Sequence, residues 1–353
     1  MRVSDFTYSL PEKLIAQHPP KRRGNSRLLV VERSSGTIQH KHYDDFVDFV
    51  QPGDVVVFND TKVIKARLLA TNRSGQPREL LLLEDHHNTD FTHRKALYRG
   101  KLHEGEQLTV RGVKVTVDTI VGGGIAEISS SISLLDLAEQ AGMVPLPPYM
   151  KRTATGQDVE RYQTVFAREP GSVAAPTASL NFTDGLQNKL IAKGVKLVYL
   201  TLHVGLGTFL PIRADLVEKH RMHSEYFEIP PATIQAIQSA KQSGKRIFAV
   251  GTTVARTLEY AHSHFPPLKK DGPFTEKKNV NLHSLSGEAD IFIYPGYEFK
   301  VVDGLLTNFH APGTTVLMLA AAFAGWDNLK VAYREAIKEN YAFLSYGDSM
   351  LII

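Results

Sequence analysis

Two kinds of β-strand pattern alternate along this chain, and their order limits the folds open to it. The first kind is a continuous apolar run flanked by turns or helical segments, which is typical of strands buried on both faces of a sheet. Such runs lie at residues 27–32, 55–58, 195–202, 246–250 and 289–294. The second kind is a short segment with alternating apolar and polar residues, confined to residues 63–149. Short strands of this kind, separated by turns, favour a small β-barrel.

The order of these patterns predicts an α/β main domain built from residues 1–62 and 150–353, with a small β-barrel domain inserted at 63–149. The chain has 353 residues, of which 42% are hydrophobic and 22% are charged. This is an ordinary globular composition, and the length is sufficient for two domains.

The composition excludes several classes of chemistry. The chain contains no cysteine, so it can form no disulfide, no thiolate nucleophile and no cysteine-ligated iron–sulfur cluster, and radical chemistry at such a cluster is excluded. No apolar run approaches the length of a membrane span, and residues 1–7 lack the apolar core of a signal peptide. We therefore expect a soluble, cytoplasmic protein that makes no membrane contact. We also expect it to be a monomer.

The charge balance gives a weaker indication about partners. The formal net charge of +4 at pH 7 fits a polyanionic partner such as a nucleic acid. The basic residues are spread along the chain, with local clusters at residues 21–23, 151–152, 269–270 and 277–278. A solvated surface is the alternative interpretation of each cluster.

Motifs of several common enzyme classes are missing. The sequence has no G-x-G-x-x-G, no G-x-x-x-x-G-K-[ST], no G-x-S-x-G and no H-E-x-x-H, which disfavours a standard dinucleotide site, a P-loop, an α/β-hydrolase and a zincin. Polar loops instead follow the predicted strands, at residues 59–61, 172–183, 203–208, 221–225, 251–256, 295–297 and 307–310. Ligands of open α/β sheets bind at the carboxyl ends of strands, so we expect the substrate at these loops.

Three features of these loops have competing interpretations. The glycines at 205 and 207 allow close approach of a ligand, but they also suit plain tight turns. Thr252 and Thr253 are predicted to cap a helix over residues 254–261, whose first turn suits an anionic group. The histidines His86, His87 and His93 could bind a metal ion, but their Asp- and Asn-rich surroundings are typical of a turn, so we predict no metal site.

An ordered series of segments carries a resemblance to a known family. The segments lie at residues 10–12, 14–19, 26–30, 53–54, 59–61, 66–68, 145–149, 161–166, 171–178, 201–205, 207–209, 251–253, 256–259, 295–297, 307–310 and 345–348. At these residues the chain resembles the S-adenosylmethionine:tRNA ribosyltransferase-isomerases of queuosine biosynthesis. A series that runs nearly end to end is far more specific than any one of its members.

The resemblance implies both a fold and an activity. The fold is an α/β domain with an inserted β-barrel, in agreement with the prediction from the strand patterns. The activity is transfer and isomerisation of the ribosyl unit of S-adenosylmethionine onto 7-aminomethyl-7-deazaguanine at the wobble position of a tRNA, which gives epoxyqueuosine and releases adenine and methionine. S-adenosylmethionine is then a consumed substrate, and no tightly bound cofactor is expected.

This chemistry needs a base beside the sulfonium, a proton donor for adenine and an unprotonated amine. Histidine suits the proton transfers, and the candidate catalytic residues are His310, His203 and Asp60. Asp60, Glu225 and Asp348 are candidates to hold ribose hydroxyls or the amine, and Tyr297 or Tyr346 to stack on the wobble base. A structural hydrogen bond is the alternative role of each. The candidate substrate-binding residues are Thr61, Arg67, Ser172, Pro176, Thr177, Asn181, Gly205, Gly207, Thr208, Glu225, Thr252, Thr253, Arg256, Tyr297, Asn308, Tyr346 and Asp348.

Two residues depart from the family pattern. Ser179 stands where a glycine is usual, and Asn181 stands where a histidine is usual. Asparagine can form a hydrogen bond but cannot titrate, so the substitution would alter or remove activity if that histidine is the base. A diverged homologue that binds tRNA or a nucleoside without this catalysis therefore stays open as an alternative.

Overall fold

The structure, a computed structural model, describes residues 1–84, 90–205, 212, 214–265 and 284–353. Within these residues the chain forms a nine-stranded mixed sheet, a closed six-stranded barrel and a two-stranded parallel ribbon. The strands are β1 (Arg27–Val31), β2 (Ile38–His42), β3 (Val55–Asn59), β4 (Thr61–Val63), β5 (Arg67–Asn72), β6 (Pro77–Leu82), β7 (His93–Arg99), β8 (Gln107–Val110), β9 (Val113–Gly122), β10 (Ile125–Ser130), β11 (Glu169–Ser172), β12 (Lys196–Leu202), β13 (Glu225–Ile229), β14 (Ile247–Val250), β15 (Leu285–Ala289), β16 (Gly304–Asn308) and β17 (Ser349–Ile352). The α-helices are α1 (Leu134–Ala141), α2 (Gly156–Arg161), α3 (Asp184–Ala192), α4 (Pro231–Gln242), α5 (Thr252–His264), α6 (Thr315–Ala324) and α7 (Trp326–Lys338).

The large sheet has the strand order β15-β13-β12-β3-β14-β16-β17-β1-β2. Its four central strands, β12, β3, β14 and β16, are parallel to one another. The outer pairings are antiparallel, except that β1 runs parallel to β17. The carboxyl ends of the four central strands therefore meet at one edge of the sheet.

Both faces of this sheet are covered, which explains the continuous apolar runs. In β3, Val55 and Val57 pack into the core shared with α4, α5, α6 and α7, whereas Val56 and Phe58 pack into the core shared with α3. Successive strand residues point to opposite faces, and all four side chains are fully buried. Such a strand has no solvated face and needs no polar alternation.

The barrel closes in the order β10-β7-β6-β5-β8-β9, between Arg67 and Ser130. Its strands alternate as expected for a barrel with a packed interior: Leu68 and Ala70 are buried inside, whereas Leu69 between them is 55% exposed. The predicted combination of an α/β domain and a small β-barrel is confirmed. The domain boundaries at residues 62 and 150 stay a prediction.

Two local predictions were wrong. Helix α5 begins at Thr252, not at 254, and its N-cap is Gly251, which adopts φ 99° and supplies no side-chain cap. The two threonines lie within the first turn, so they cannot cap it. The apolar run at 289–294 is also not a strand, since β15 ends at Ala289 and Ile293 packs into the main core without pairing.

Candidate active site

A cavity of about 440 Å³ opens at the carboxyl edge of the central strands. The segments that follow β12, β14 and β16 contribute to it, together with the loop before α3 and the proline-rich segment before α2. Its lining is Pro147, Pro148, Tyr149, Tyr162, Ala174, Ala175, Pro176, Thr177, Ala178, Val204, Gly251, Thr252, Thr253, Thr307, Asn308, Phe309, His310, Ala311, Thr314, Val316, Leu344 and Ser345. Most of these side chains are apolar, so a few polar groups set the chemistry of the cavity.

The amide of Asn308 is one of these polar groups. Asn308 ends β16 and is 2% exposed. Its Oδ1 accepts a hydrogen bond of 2.8 Å from Oγ1 of Thr177, whereas its Nδ2 has no hydrogen-bond partner. A buried donor without an acceptor is costly in a folded protein, and a ligand acceptor in this cavity would remove that cost.

His310 is a titratable residue of the cavity wall, and it lies two positions after Asn308 in the chain. Its ring Nε2 lies 2.9 Å from Oγ1 of Thr307. The hydroxyl of Tyr8 donates to its carbonyl oxygen, and its backbone N–H donates to the hydroxyl of Tyr333. Burial disfavours the imidazolium and lowers the pKa of His310 to about 4. The imidazole is therefore in its neutral form at physiological pH, the form that a base requires, although the same burial makes it a weaker base than a free histidine side chain.

The beginning of helix α5 forms another polar part of the wall. Gly251 donates its N–H to the carbonyl of Leu306 in the neighbouring strand, over 2.8 Å. This bond sets the start of α5 beside the end of β16. Because no side chain caps this helix, the N–H groups of its first turn are available to an anionic or acceptor group.

A second cluster of predicted residues lies behind the cavity and is tied together by hydrogen bonds. Nδ1 of His203 lies 2.7 Å from Oγ1 of Thr61, and His203 is 4% exposed. An added Cβ at Gly171 would come within 2.9 Å of the imidazole ring, so glycine is required for this packing. Ser172 donates to the carbonyl of Ala174 over 2.7 Å and accepts from the N–H of Val204.

Asp60 belongs to this second cluster. Its Oδ1 accepts a hydrogen bond of 2.7 Å from Thr201, and its Oδ2 lies 2.8 Å from the guanidinium of Arg168. Burial raises the pKa of Asp60, while the Thr201 hydroxyl and the Arg168 charge act in the opposite direction. The carboxyl group is buried, but Arg168 is 64% exposed, so the pair links the cluster to the surface.

Glu225 and Arg256 form a buried ion pair beside the same cluster. Oε2 of Glu225 lies 2.6 Å from the Arg256 guanidinium, and Oε1 accepts from the N–H of Gly205 over 3.1 Å. Both side chains are at least nine-tenths buried. The pair fixes the chain where it leaves β12.

Five predicted residues lie elsewhere, each with a structural partner. Arg67 is in the barrel and donates to the carbonyl of Leu146. Nδ2 of Asn181 donates to the carbonyl of Gly347 over 3.1 Å. The hydroxyls of Tyr297 and Tyr346 donate to Glu259 and Asp158, respectively. Asp348 accepts hydrogen bonds from Arg27 and from the N–H of Ala342.

Of the predicted residues, Pro176, Thr177, Thr252, Thr253, Asn308 and His310 line the cavity. Gly207, Thr208, His86 and His87 lie outside the described residues. His93 pairs with Asp90 at 2.7 Å. Within the described residues no group of three or more metal-ligating side chains could hold a metal ion, and no helix among them is long and apolar enough to cross a membrane.

Sequence reasoning missed several lining residues. Tyr149 and Ser345 both line the cavity, and their side-chain oxygens are hydrogen-bonded to each other. The proline-rich segment that ends at Tyr149 is unusual enough in sequence to indicate a binding strap. Ser345 lies in the family segment at residues 345–348 but was not among the candidate site residues, and Thr314 has no local pattern that indicates a site; the folded chain brings both to the cavity.

Comparison with known proteins places these observations in a family. The model of the family described as queuosine biosynthesis protein matches residues 3–352. Proteins named S-adenosylmethionine:tRNA ribosyltransferase-isomerase from Pelodictyon phaeoclathratiforme and Chlorobaculum parvum are each 52% identical to this chain, with 100% of both chains covered. A relative of the same name from Halothermothrix orenii is 45% identical over 359 residues, also with 100% of both chains covered.

A solved structure is similar as well. The crystal structure of an S-adenosylmethionine tRNA ribosyltransferase from Thermotoga maritima superimposes with a TM-score of 0.55 and is 32% identical in sequence. The match covers 99% of this chain and 100% of that one. The similarity therefore extends over both the large sheet and the barrel.

Proposed function

The chain belongs to the queuosine biosynthesis protein family, and from that premise we propose that it is an S-adenosylmethionine-dependent tRNA ribosyltransferase-isomerase. In this proposal it transfers and isomerises the ribosyl unit of S-adenosylmethionine onto 7-aminomethyl-7-deazaguanine at the tRNA wobble position. The products are epoxyqueuosine-tRNA, adenine and methionine. The observation that carries the proposal is the family match along residues 3–352.

The cavity suits the donor substrate of this reaction. Its apolar walls can enclose an adenine ring and a ribose, while the uncapped first turn of α5 and Nδ2 of Asn308 offer hydrogen-bond donors. S-adenosylmethionine enters as a consumed substrate, so the proposal includes no tightly bound cofactor. It also places the protein in the cytoplasm, where it acts on tRNA as a monomer.

We assign the proton transfers primarily to His310. A neutral imidazole in an apolar wall can remove the proton from the ribose carbon beside the sulfonium. His203 is hydrogen-bonded to Thr61 behind the cavity, which supports a positioning role for it. Asp60, Glu225 and Arg256 then hold the loops that form the cavity wall.

Asparagine at position 181, where the family usually has histidine, does not argue strongly against catalysis. The described residues that line the cavity do not include Asn181, and its amide is engaged by the carbonyl of Gly347. Asparagine at this position therefore ties two loops together. The catalytic proposal is supported over a diverged protein that only binds tRNA by the relatives that are 52% identical over the whole chain and are named S-adenosylmethionine:tRNA ribosyltransferase-isomerase.

The test is release of adenine. The protein is incubated with S-adenosylmethionine and a tRNA that carries 7-aminomethyl-7-deazaguanine, and adenine is quantified by chromatography. The control tRNA carries guanine at the wobble position and should release none. If the folded protein binds the modified tRNA but releases no adenine, the binding-only alternative replaces the proposal.

A further inference from the structure

Arg161 carries a positive charge that no acidic side chain of the described residues neutralises directly. It is the last residue of α2 and is half-buried. Among the described residues no carboxylate forms an ion pair with its guanidinium, and its buried Nε has no acceptor. Half-buried arginines are usually paired, because their N–H groups lose water without a replacement.

A second arginine lies close to Arg161. Arg23 belongs to a basic turn, which comprises Lys21, Arg22 and Arg23, and it is fixed by backbone carbonyls. Its guanidinium donates to the carbonyls of Leu180 and Gln163, over 2.7 and 3.0 Å. Burial and then the charge of Arg161 lower the pKa of Arg23. The other two side chains of the basic turn are exposed.

The acidic side chains near Arg23 do not fully neutralise the charge of the two arginines. Glu160 and Asp184 partly offset the repulsion between the arginines, but both are exposed. Neither forms an ion pair with Arg161 within the described residues. Concentrated cations of this kind favour an anionic partner with several charges.

The two arginines, Arg161 and Arg23, lie next to residues that line the cavity. Tyr162, the residue after Arg161, lines the cavity, and the Leu180 carbonyl that holds Arg23 lies three residues after the lining residue Thr177. Gly24, at φ 86°, packs the basic turn against Thr183, where an added Cβ would lie 2.8 Å from the threonine methyl. The basic turn is thus fixed against the segment that forms one cavity wall.

A nucleotide that inserts its base into a pocket keeps its flanking phosphates outside, near the rim. We propose, resting on the proposed function, that Arg161 and the basic turn bind backbone phosphates of the substrate RNA next to the modified nucleotide. The guanidinium N–H groups supply paired donors to phosphate oxygens. Such contacts position the RNA and do not read its sequence.

The test is direct binding, measured separately from turnover. A fluorescein-labelled anticodon stem-loop carrying 7-aminomethyl-7-deazaguanine is titrated by fluorescence anisotropy over a series of salt concentrations. Arg161→Gln should weaken RNA binding about tenfold and reduce the slope of log K against log salt by about one. S-adenosylmethionine binding should be unchanged. The matched control is Arg334→Gln, an exposed arginine on α7, which should alter neither quantity.

Two further variants separate phosphate binding from a structural role. Arg161→Lys keeps the charge and should restore the salt slope but only part of the affinity, because lysine lacks the paired donors. Lys21→Gln combined with Arg22→Gln should reduce the slope again, with no change in thermal midpoint. If Arg161→Gln binds RNA as the wild type does, the arginine serves only the carboxyl end of α2 and the inference is wrong.

The outcome for the phosphate site is distinguishable from that for the proposed function. Wild-type protein that binds RNA through Arg161 but releases no adenine would overturn the activity and keep the site. Adenine release with RNA binding unaffected by Arg161→Gln and by the double variant would overturn the site and keep the activity.

Discussion

Oγ1 of Thr177 donates a hydrogen bond of 2.8 Å to Oδ1 of Asn308, and so joins the loop before α3 to the carboxyl end of β16. This bond fixes which way the amide faces, because its oxygen is engaged and its nitrogen is left as a donor. The two residues are 131 positions apart in the chain. The cavity wall is therefore assembled from distant segments whose polar groups orient one another.

Asn308→Leu tests whether the amide donor binds substrate. Leucine has nearly the same shape; it removes an unsatisfied buried donor but also the acceptor of the Thr177 hydroxyl, so the two effects oppose one another and the thermal midpoint should change little. The KM for S-adenosylmethionine should rise about tenfold, the loss expected for a hydrogen bond to a charged group. Thr177→Val, which leaves the donor in place, should have a smaller effect. An unchanged KM in Asn308→Leu would assign the amide to structure alone.

His310→Gln tests proton transfer by the imidazole. General acid or base catalysis contributes roughly 10² to 10⁴ in rate, so kcat should fall by that order. Glutamine can keep the hydrogen bond with Thr307, so S-adenosylmethionine should still protect the protein against thermal unfolding. Adenine release is followed under saturating substrate. Normal turnover would return His310 to a structural role and leave His203 as the candidate base.

The low pKa of His310 also predicts a dependence of stability on pH. The folded-state pKa is about 4, against 6.5 for the free side chain. The unfolded chain therefore binds a proton first as pH falls, and stability is lost progressively from about pH 6.5 towards pH 4, by up to about 3 kcal/mol. Urea unfolding at pH 8 and pH 5 measures this loss. The difference between the two pH values should be smaller in His310→Gln than in the wild type.

The ion pair between Glu225 and Arg256 should be essential for stability. Removing one partner of a buried pair leaves an uncompensated charge and costs roughly 3–5 kcal/mol. Glu225→Gln should therefore lower the free energy of unfolding by about that amount, and adding Arg256→Met should recover part of it. The control is Lys330→Gln at the exposed pair with Asp327, where the expected loss is under about 1 kcal/mol. Equal losses in both variants would contradict the assignment.

Tyr346→Phe and Tyr346→Leu together distinguish a structural tyrosine from a base-stacking one, because the first removes only the hydroxyl and the second also removes the ring. Tyr346 is 4% exposed, and its hydroxyl donates to Asp158 over 2.8 Å. Removal of the hydroxyl leaves the buried carboxylate of Asp158 with one hydrogen-bond donor fewer, so we expect the free energy of unfolding to fall by about 1–3 kcal/mol. RNA affinity of the folded protein should be unchanged in Tyr346→Phe and also in Tyr346→Leu, since the ring is enclosed by the protein. A variant of normal stability and weakened RNA binding would restore the stacking role.

The fold was predictable because its determinants are local. The runs that contain β3 and β14 are apolar at consecutive positions and that of β12 is interrupted only by Lys196 and Thr201, whereas the barrel strands alternate, so the sequence distinguishes the two types of sheet. The cap of α3 is local as well: Thr183 stands immediately before the helix, and its Oγ1 accepts from the N–H of Leu186 over 3.1 Å. The run at 289–294 failed because apolar residues can be buried in a core without strand pairing.

The site was predictable only in part. Parallel strands end at a common edge, so the positions of Asn308 and His310 follow from their place after a strand. Sequence alone cannot distinguish a polar residue that faces a cavity from one that faces protein. Asp348 binds the backbone and side chain of Arg27, 321 positions away, and no local pattern around Asp348 predicts that contact.

The parallel pairing of β1 with β17 has a consequence for biosynthesis of the protein. Leu28 is aligned with Ser349, and Val31 with Ile352, so the large sheet cannot be completed until residues 349–352 have left the ribosome. The barrel strands, in contrast, are contiguous in the chain and can pair early. Until residues 349–352 have emerged, β1 can pair with β2, which follows it in the chain, but its other edge has no partner and its apolar side chains lack the later elements that bury them. Chaperones that bind the chain during translation should therefore bind preferentially at β1.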